Sequence, residues 1–287
     1  MIKILEANSP IATVFGGSGF IGKYVVRRLV KRGWRVRVAV RSPNEALFFK
    51  TYGEVGQVEV FKCSIFDKKD LSMCIPGSTI VINAVAGLLN ETSKKMFKKY
   101  YIDGPELIAK ECSKFNVKKV IHISSLGVGV GVDDNLTSIY SSSKAKGEAK
   151  LIENFSNVAI VRPSLVFGYE DSFFNRYAAL AVYSFFIPLF GASTRFQPVY
   201  VDDVALAVEK IALEKNKNGV FELGGPEIIN FKKMIQKMLT VIRRKRIILN
   251  IPFGMARFLA VFFEFVNKLT LGITPIPFTQ DNVLKLR

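Results

Sequence analysis

The sequence predicts an α/β fold in which a doubly wound parallel sheet is followed by a smaller, mainly helical C-terminal capping region. Short apolar runs alternate with segments of helical periodicity as far as Gly168. This alternation is typical of a parallel sheet, because each crossover between parallel strands needs a connection that is usually a helix. We therefore expect a sheet domain over residues 1–168 and a capping, substrate or partner-docking region over residues 169–287, some segments of which return to the sheet.

Each element is marked by its own pattern. Strands are short apolar runs, or alternate basic and apolar residues as in Arg35–Val40, and helices have apolar residues spaced at three or four. The predicted strands are Ile11–Phe15, Arg35–Val40, Val58–Phe61, Thr79–Ala84, Val120–Ile123 and Val158–Val161. The predicted helices are Phe20–Arg32, which ends at Gly33, Pro105–Phe115, Tyr140–Asn154, Phe231–Val241 and Phe253–Leu269, with a further helical segment inside Val199–Leu213.

Composition and charge limit the class of protein. The chain of 287 residues is 49% hydrophobic and 23% charged, which allows a sizeable core and excludes a disordered chain. Its formal net charge of +17 attracts anions such as nucleotides, nucleic acid, anionic lipid or an acidic protein. The basic clusters are short and scattered, as on an ordinary solvated surface, and no zinc-ligand spacing or RNA-binding signature accompanies them. We expect no specific nucleic-acid partner.

Cysteine usage and the N-terminal residues indicate the compartment. Cys63, Cys74 and Cys112 contain no C-x-x-C pair, which favours a reducing compartment over a disulfide scaffold. Neither a signal peptide nor an apolar run of about 18 residues is visible in the sequence. We expect a cytoplasmic protein, or one that is peripheral at the inner face of a membrane. The single histidine, His122, lies in an apolar strand without a second ligand at a useful spacing, so we expect a core residue and no metal site.

A glycine-rich loop, GGSGFIG from Gly16 to Gly22, separates the first strand from the first helix. In such a unit the first glycine permits the tight turn, the second lets the backbone approach a pyrophosphate, and the third lets the helix pack close to the strand. The N-terminus of the helix then offers N–H groups and partial positive charge to the phosphates. An ordinary glycine-rich turn is the alternative. Because the strand before and the helix after are both recognisable, the loop predicts a Rossmann-type dinucleotide site.

The residue after the second strand indicates which dinucleotide is bound. An acidic residue there would bind the ribose hydroxyls of NAD. This chain has Arg41, and the first acid that follows is Glu45. A guanidinium pairs with a 2′-phosphate through two hydrogen bonds. The sequence therefore favours NADP(H) over NAD(H), with a surface arginine in a basic protein as the alternative.

Tyr140 and Lys144, in the segment YSSSK, are four residues apart and share one face of a predicted helix. A lysine close to the phenol makes that tyrosine a better acid or base near neutral pH. Ser125 follows the strand Val120–Ile123 and is placed to hydrogen-bond a substrate carbonyl. The three residues predict a catalytic set, and a surface tyrosine and lysine on an amphipathic helix are the alternative.

With these motifs the chain resembles the short-chain dehydrogenase/reductase superfamily in its extended or atypical branch. The matching segments run from Gly16 to Val204 and cover most of the chain: GGSGFIG, IVINAVA, ISS, YSSSK, RPSLVFG and QPVYVDDV. Within that branch, GGSGFIGKYVV, YGEVGQV and QPVYVDDV are most similar to the family of the Rossmann-type accessory subunit of respiratory complex I (NADH:ubiquinone oxidoreductase) and its bacterial relatives. This resemblance implies a tightly held NADPH, without established turnover, in a ubiquinone-linked respiratory setting.

The resemblance also implies roles for individual residues. The implied pyrophosphate-binding residues are Gly16, Ser18, Gly19, Phe20, Ile21 and Gly22, and Arg41 is the implied 2′-phosphate ligand. Ser64 and Ile65 would border the adenine, and Ala84, Val85 and Ala86 would line the pyrophosphate and ribose. Tyr140 and Lys144 would bond the nicotinamide ribose, with Pro163 and Val166 near the nicotinamide.

Three departures from the family pattern bear on catalysis. Ser64 stands where many relatives have an acid at the adenine edge. Tyr101 stands where catalytic members often have an asparagine, which weakens a proton relay. The interval from Ser125 to Tyr140 is short for the sugar-nucleotide epimerases, which argues against that substrate class.

The C-terminal part leaves two interpretations open. Met255–Leu269 is apolar and follows the basic run from Arg243 to Arg246. Such a segment is either a membrane-surface element or a core helix beneath a basic loop. The chain stops at Arg287 in what looks like the start of another helix, so we expect that the usual C-terminal end of the family is missing.

Two functions follow from these motifs. The first is an NADP(H)-binding subunit that uses the cofactor structurally or as a redox sensor and docks on respiratory complex I, another membrane-bound complex or an anionic membrane. The second is a free NADPH-dependent reductase, dehydrogenase or epimerase for a small carbonyl substrate, with Tyr140 as general acid or base, Lys144 as its activator and Ser125 orienting the carbonyl. A nucleic-acid-binding regulator on the same fold is a distant third.

Overall fold

The computed structural model describes residues 9–87, 93–128, 138–252 and 254–255. The strands in chain order are β1 (Ile11–Phe15), β2 (Arg35–Val40), β3 (Val58–Lys62), β4 (Ile80–Asn83), β5 (Lys119–Ile123), β6 (Val158–Pro163), β7 (Val166–Phe167), β8 (Phe186–Phe190), β9 (Arg195–Phe196), β10 (Val199–Tyr200), β11 (Gly219–Leu223), β12 (Ile229–Asn230) and β13 (Ile247–Ile251). The helices are α1 (Phe20–Lys31), α2 (Lys68–Cys74), α3 (Lys94–Lys98), α4 (Gly104–Lys114), α5 (Ile139–Asn154), α6 (Ser172–Tyr183), α7 (Val201–Leu213) and α8 (Phe231–Val241). A 3-10 helix spans Pro43–Thr51, and a π-helical turn, Lys99–Asp103, joins α3 to α4.

Seven of these strands form one parallel sheet in the order β11-β6-β5-β4-β1-β2-β3. From β1 the chain runs outward through β2 and β3, then crosses back to β4 and continues outward through β5 and β6 on the other side. The direction of winding therefore reverses between β1 and β4. In doubly wound sheets, ligands bind at the carboxyl ends of the strands where this reversal falls.

Each face of the sheet carries its own apolar layer, because successive side chains of a strand point to opposite faces. Val14 belongs to the layer covered by α1 and α7, whereas Phe15 belongs to the layer covered by α4 and α5. A third apolar cluster, which includes Phe231 and Ile187, lies in the capping region. The sheet is thus covered on both faces, and its functional groups are left to the loops at the strand ends.

Ion pairs join α7 to α1 at the surface of the first layer. The Arg28 guanidinium lies 2.6 Å from Asp202 Oδ2 and 3.3 Å from Glu209 Oε2. Arg32 also contacts Glu209, whose side chain is buried. These contacts and the pairing of β11 with β6 bring two segments of the later half of the chain back to the sheet.

The predicted fold class is confirmed, and most predicted elements lie within two residues of the observed ones. Sequence reasoning missed β11, β13, the short strands of the capping region, α2, α3, α6, the 3-10 helix and the π-helical turn. The predicted helix Phe253–Leu269 falls outside the described residues except for Gly254 and Met255, and the domain boundary at residue 168 remains a prediction. In the described ranges, no helix is long and apolar enough to cross a membrane.

Candidate functional site

The glycine loop turns sharply between β1 and α1 at the point where the sheet reverses direction. Gly16 has a φ of +70°, and a Cβ atom there would lie 2.8 Å from the carbonyl carbon and oxygen of Ala84 and 2.8 Å from the Val85 nitrogen. The Gly19 N–H donates to the Gly16 carbonyl at 3.0 Å and closes the turn. The loop backbone therefore lies directly against the end of β4, as only glycine permits.

The start of α1 is open to an anion. Its N-cap is Gly19, which has no side chain to bond the first N–H groups of the helix. Gly22 packs so closely on the Gly16 carbonyl that a Cβ atom there would overlap it. The cradle therefore has the backbone approach and the uncapped N–H groups that a pyrophosphate requires, so the residues present fit a dinucleotide.

The ends of β2 and β3 lie beside this loop. Arg41 is exposed directly after β2, and its Nη1 donates to the Tyr100 hydroxyl at 3.3 Å. Ser64 follows β3, and its backbone N–H donates to Asp70 Oδ2 at 2.8 Å. Ile65 is buried beneath this loop. The parallel sheet thus places the predicted adenosine-end residues at one edge.

The end of β4 connects to the helix that follows it. Ala84 and Val85 are half-buried and Ala86 is exposed. Asn83 Oδ1 accepts a hydrogen bond from the Val85 N–H at 3.1 Å, which fixes the turn of the chain after the strand. Gly87 N–H donates to the Tyr101 hydroxyl at 2.9 Å. The segment predicted to line the pyrophosphate and ribose is therefore held from both ends.

Tyr140 and Lys144 lie together on α5, facing the π-helical turn. Lys144 is buried, and its Nζ lies 5.3 Å from the centroid of the Tyr140 ring and 5.5 Å from that of the Tyr101 ring. The Tyr101 and Tyr140 rings meet edge to face at 5.2 Å. The lysine ammonium is therefore held against both phenol rings by cation–π attraction. Ser125 is half-buried just after β5, and residues 129–137, between it and α5, lie outside the described residues.

His122 lies under the site without serving it as an acid or base. Its pKa is lowered to about 3 by burial and, secondly, by the positive charge of Lys144. The Asn83 amide nitrogen, which can only donate, lies 3.2 Å from Nδ1. The ring is therefore neutral at physiological pH and accepts at Nδ1, as expected of a core histidine.

The helix that carries Tyr140 and Lys144 is tied to the neighbouring strand by a buried ion pair. Arg162, in β6, reaches Glu148 through Nη2 to Oε2 at 2.6 Å and Nε to Oε1 at 3.2 Å. Pro163 ends this strand and is buried, and Val166 is half-buried and pairs with Val199 of β10. The two residues predicted near the nicotinamide therefore lie at or just after the end of the strand to which α5 is tied.

Sequence reasoning missed Phe66, Lys99 and Tyr100, which join Arg41 beside the loop after β3. Their proximity depends on the π-helical turn, for which the sequence carries no local signal. Tyr101 was identified only as a departure from the family pattern, yet it contacts Gly87, Lys144 and Tyr140.

A doubly wound parallel sheet with a glycine loop at its point of reversal defines the class of nucleotide-binding α/β proteins. The model of the NAD dependent epimerase/dehydratase family matches residues 12–224, and the chain belongs to this family. Its fold is similar to that of the Bordetella bronchiseptica enzyme WbmG in complex with NAD, with a TM-score of 0.70 and 18% identity over 87% of this chain and 84% of that one.

Relatives at higher identity are named as subunits of a respiratory enzyme. The chain is 31% identical over 285 residues to Arabidopsis thaliana mitochondrial NADH dehydrogenase (ubiquinone) 1 alpha subcomplex subunit 9. The matched region covers 96% of this chain and 68% of that protein. It is 33% identical over 231 residues to the protein of the same name from Dictyostelium discoideum. Here the matched region covers 80% of this chain and 63% of that protein. The resemblance to the complex I accessory subunit is thereby confirmed at the level of sequence.

Proposed function

We propose that this protein binds NADP(H) in the groove at the carboxyl edge of the sheet and holds it as a structural or redox-sensing cofactor in a respiratory, ubiquinone-linked complex. The observation that carries the proposal is the cradle at Gly16 and Gly19, where loop backbone and uncapped helix N–H groups meet the end of β4. The names of the relatives support the respiratory setting. The exposed Arg41 at the end of β2 supports NADP(H) over NAD(H).

The chain's own residues are sufficient to hold such a molecule. Backbone N–H groups at the start of α1 would bind the pyrophosphate, and Arg41 would pair with the 2′-phosphate. Tyr140 and Lys144 would hydrogen-bond the nicotinamide ribose. When bound, the nicotinamide supplies hydride chemistry, while the protein supplies orientation and electrostatics.

The test is mass spectrometry of whatever dinucleotide co-purifies with the full chain, followed by dissociation constants for NADPH and NADH. Arg41→Ala is expected to weaken NADPH about tenfold or more and to leave NADH within about twofold, because only NADPH offers a phosphate to the guanidinium. Arg176→Ala, an exposed arginine of α6, is the matched control. Loss of both ligands alike in Arg41→Ala would contradict the assigned role.

Docking at the inner face of a membrane, on respiratory complex I or another membrane-bound complex, belongs to the same proposal. Tyr183 and Phe185 are 90% and 75% exposed, and Arg246 lies over the Phe185 ring at 5.3 Å. Apolar side chains beside basic ones suit an anionic membrane surface or a protein partner at that surface. Rapid oxidation of bound NADPH by a carbonyl or quinone, combined with release from membranes at physiological salt, would contradict the subunit role.

A free NADPH-dependent reductase, dehydrogenase or epimerase is the second candidate, favoured by the closeness of Lys144 to Tyr140. In that case the Tyr140 hydroxyl would give a proton to the carbonyl oxygen of a small substrate, the Lys144 ammonium would stabilise the phenolate, and Ser125 would orient the carbonyl. Tyr140→Phe is expected to remove at least about 99% of turnover on any substrate found, since general acid catalysis typically contributes 10²–10⁴-fold. Full activity of this variant would exclude the mechanism.

A further inference from the structure

Two aromatic rings and two cations lie together beside the loop after β3. The Phe66 and Tyr100 rings meet edge to face at 5.0 Å, and Lys99 Nζ lies 4.5 Å from the centroid of the Phe66 ring. The Tyr100 hydroxyl accepts a hydrogen bond from Arg41 Nη1 at 3.3 Å. We call these four residues the adenosine-edge cluster.

The cluster lies at the adenosine end of the groove because its members follow successive strands of the sheet. Arg41 comes directly after β2, Phe66 lies in the loop after β3, and the two other members lie in the π-helical turn that follows β4. Val40 pairs with Lys62, so the ends of β2 and β3 lie side by side. All members therefore follow the carboxyl ends of their strands, and the contacts of Tyr100 with Arg41 and Phe66 bring the turn after β4 to the ends of β2 and β3.

Among the described residues, no carboxylate compensates the charges of the cluster. In the described part of the chain, neither Arg41 nor Lys99 lies within ion-pair distance of a carboxylate, whereas the neighbouring Lys98 pairs with Asp103 at 2.5 Å. The Tyr100 hydroxyl accepts from Arg41 and keeps its own hydrogen to donate. A guanidinium bonded to a hydroxyl, with an ammonium on the ring that the same tyrosine contacts, suits the oxygen atoms and the nearly double negative charge of a phosphate monoester.

We propose that Tyr100 is a positioning residue that fixes the Arg41 guanidinium, and that Lys99 is the second cation of a site selective for the 2′-phosphate of the dinucleotide. This inference rests on the proposed function and names how its phosphate selectivity is achieved. The hydrogen bond to Tyr100 holds one rotamer of an otherwise exposed arginine, so less conformational entropy is lost when phosphate binds. Lys99 is held over Phe66 in the same way.

The π-helical turn explains why Tyr100 is available for this role. Its neighbour Tyr101 is turned toward Gly87, and the Tyr101 carbonyl lies against Gly147 of α5, where a Cβ atom would overlap it. That contact with α5 fixes the position of the π-helical turn. Tyr100 is thereby held toward Arg41 and Phe66, whereas Tyr101 contacts Tyr140.

The experiment measures competition of 2′,5′-ADP and of 5′-ADP with NADPH fluorescence on the full chain, alongside direct NADPH and NADH titrations. Tyr100→Phe removes only the hydroxyl and is expected to weaken NADPH and 2′,5′-ADP about fivefold, with NADH and 5′-ADP unchanged within about twofold. Lys99→Gln is expected to have an effect of about the same size and selectivity. Lys98→Gln and Tyr169→Phe are the controls, because Lys98 is already paired with Asp103 and Tyr169 is 90% exposed.

A double-mutant cycle separates positioning from direct binding. In an Arg41→Ala background, Tyr100→Phe is expected to weaken 2′,5′-ADP by less than about twofold, because the residue it positions is gone. The inference is overturned if Tyr100→Phe weakens both nucleotides alike, or if its effect survives intact without Arg41. Wild-type protein that binds both dinucleotides equally would overturn this inference and the proposed preference for NADP(H), but not dinucleotide binding. Protein that binds neither would overturn the proposed function as a whole.

Discussion

The contact between the glycine loop and the end of β4 predicts a specific loss of stability in Gly16→Ala. Two costs add up in this variant. An alanine at a φ of +70° is strained by about 1 kcal/mol. Its Cβ would also lie 2.8 Å from three backbone atoms of Ala84 and Val85, which cannot rotate away. Overpacking of this kind typically costs about 1–3 kcal/mol. We expect a total loss of about 2–4 kcal/mol.

Gly33→Ala separates the two costs. Gly33 has a φ of +84°, but a Cβ atom there would meet nothing within 4 Å. The strain and the loss of unfolded-state freedom are therefore shared by both variants, and only the overlap distinguishes them. Urea denaturation of each variant gives the free energy of unfolding. We expect Gly16→Ala to be less stable than Gly33→Ala by about 1–3 kcal/mol, or roughly 2–12 °C in melting temperature. Equal stability of the two variants would refute the argument from close approach.

Two further predictions concern buried ionisable side chains. The folded pKa of His122 is about 3, below the 6.5 of a free histidine, so the unfolded chain takes up a proton as the pH falls below 6.5 and stability is lost. Between pH 6.5 and pH 5, wild type should lose about 2 kcal/mol more than His122→Gln in urea denaturation, and parallel pH profiles would contradict this. Glu209→Gln should cost about 1–3 kcal/mol, because it removes the buried partner of Arg28, whereas Glu153→Gln, in an exposed pair, should cost less than about 0.5 kcal/mol, and similar losses would contradict the distinction.

The strands of the sheet could be predicted because a buried parallel strand is a short apolar run, as in Ile11–Phe15, or alternates apolar and basic residues, as in Arg35–Val40. Ile11–Phe15 and Arg35–Val40 were placed with their observed ends. The edge strand Gly219–Leu223 was missed, because it begins at a glycine and exposes Val220 and Glu222, so its sequence lacks a clear apolar pattern. The short strands of the capping region carry too few residues for any periodicity to show.

The candidate site divides in the same way. The glycine spacing and the four-residue spacing of Tyr140 and Lys144 are local patterns. The sequence alone was therefore enough to predict the glycine turn and, separately, the closeness of Tyr140 to Lys144. The contacts of Tyr100 with Arg41 and of Tyr101 with Lys144 join residues far apart in the chain. They depend on the exact rotation of one helix against the sheet, and no local pattern reports that rotation.

The π-helical turn between α3 and α4 lets the residues that face the proposed binding site vary without shifting the residues of α4 that pack on the sheet. A π turn holds one residue more than an α-helical turn, so it absorbs an inserted residue within itself. Downstream, Ile108 and Cys112 still face the core, four positions apart, as in an uninterrupted helix. Tyr100 and Tyr101 thereby point to different neighbours, Arg41 and Gly87. The buried residues of α4 keep their regular helical spacing. Deleting one residue there would change what the helix presents to the groove and spare how it packs on the sheet, which makes this turn a place where recognition can be redesigned independently of folding.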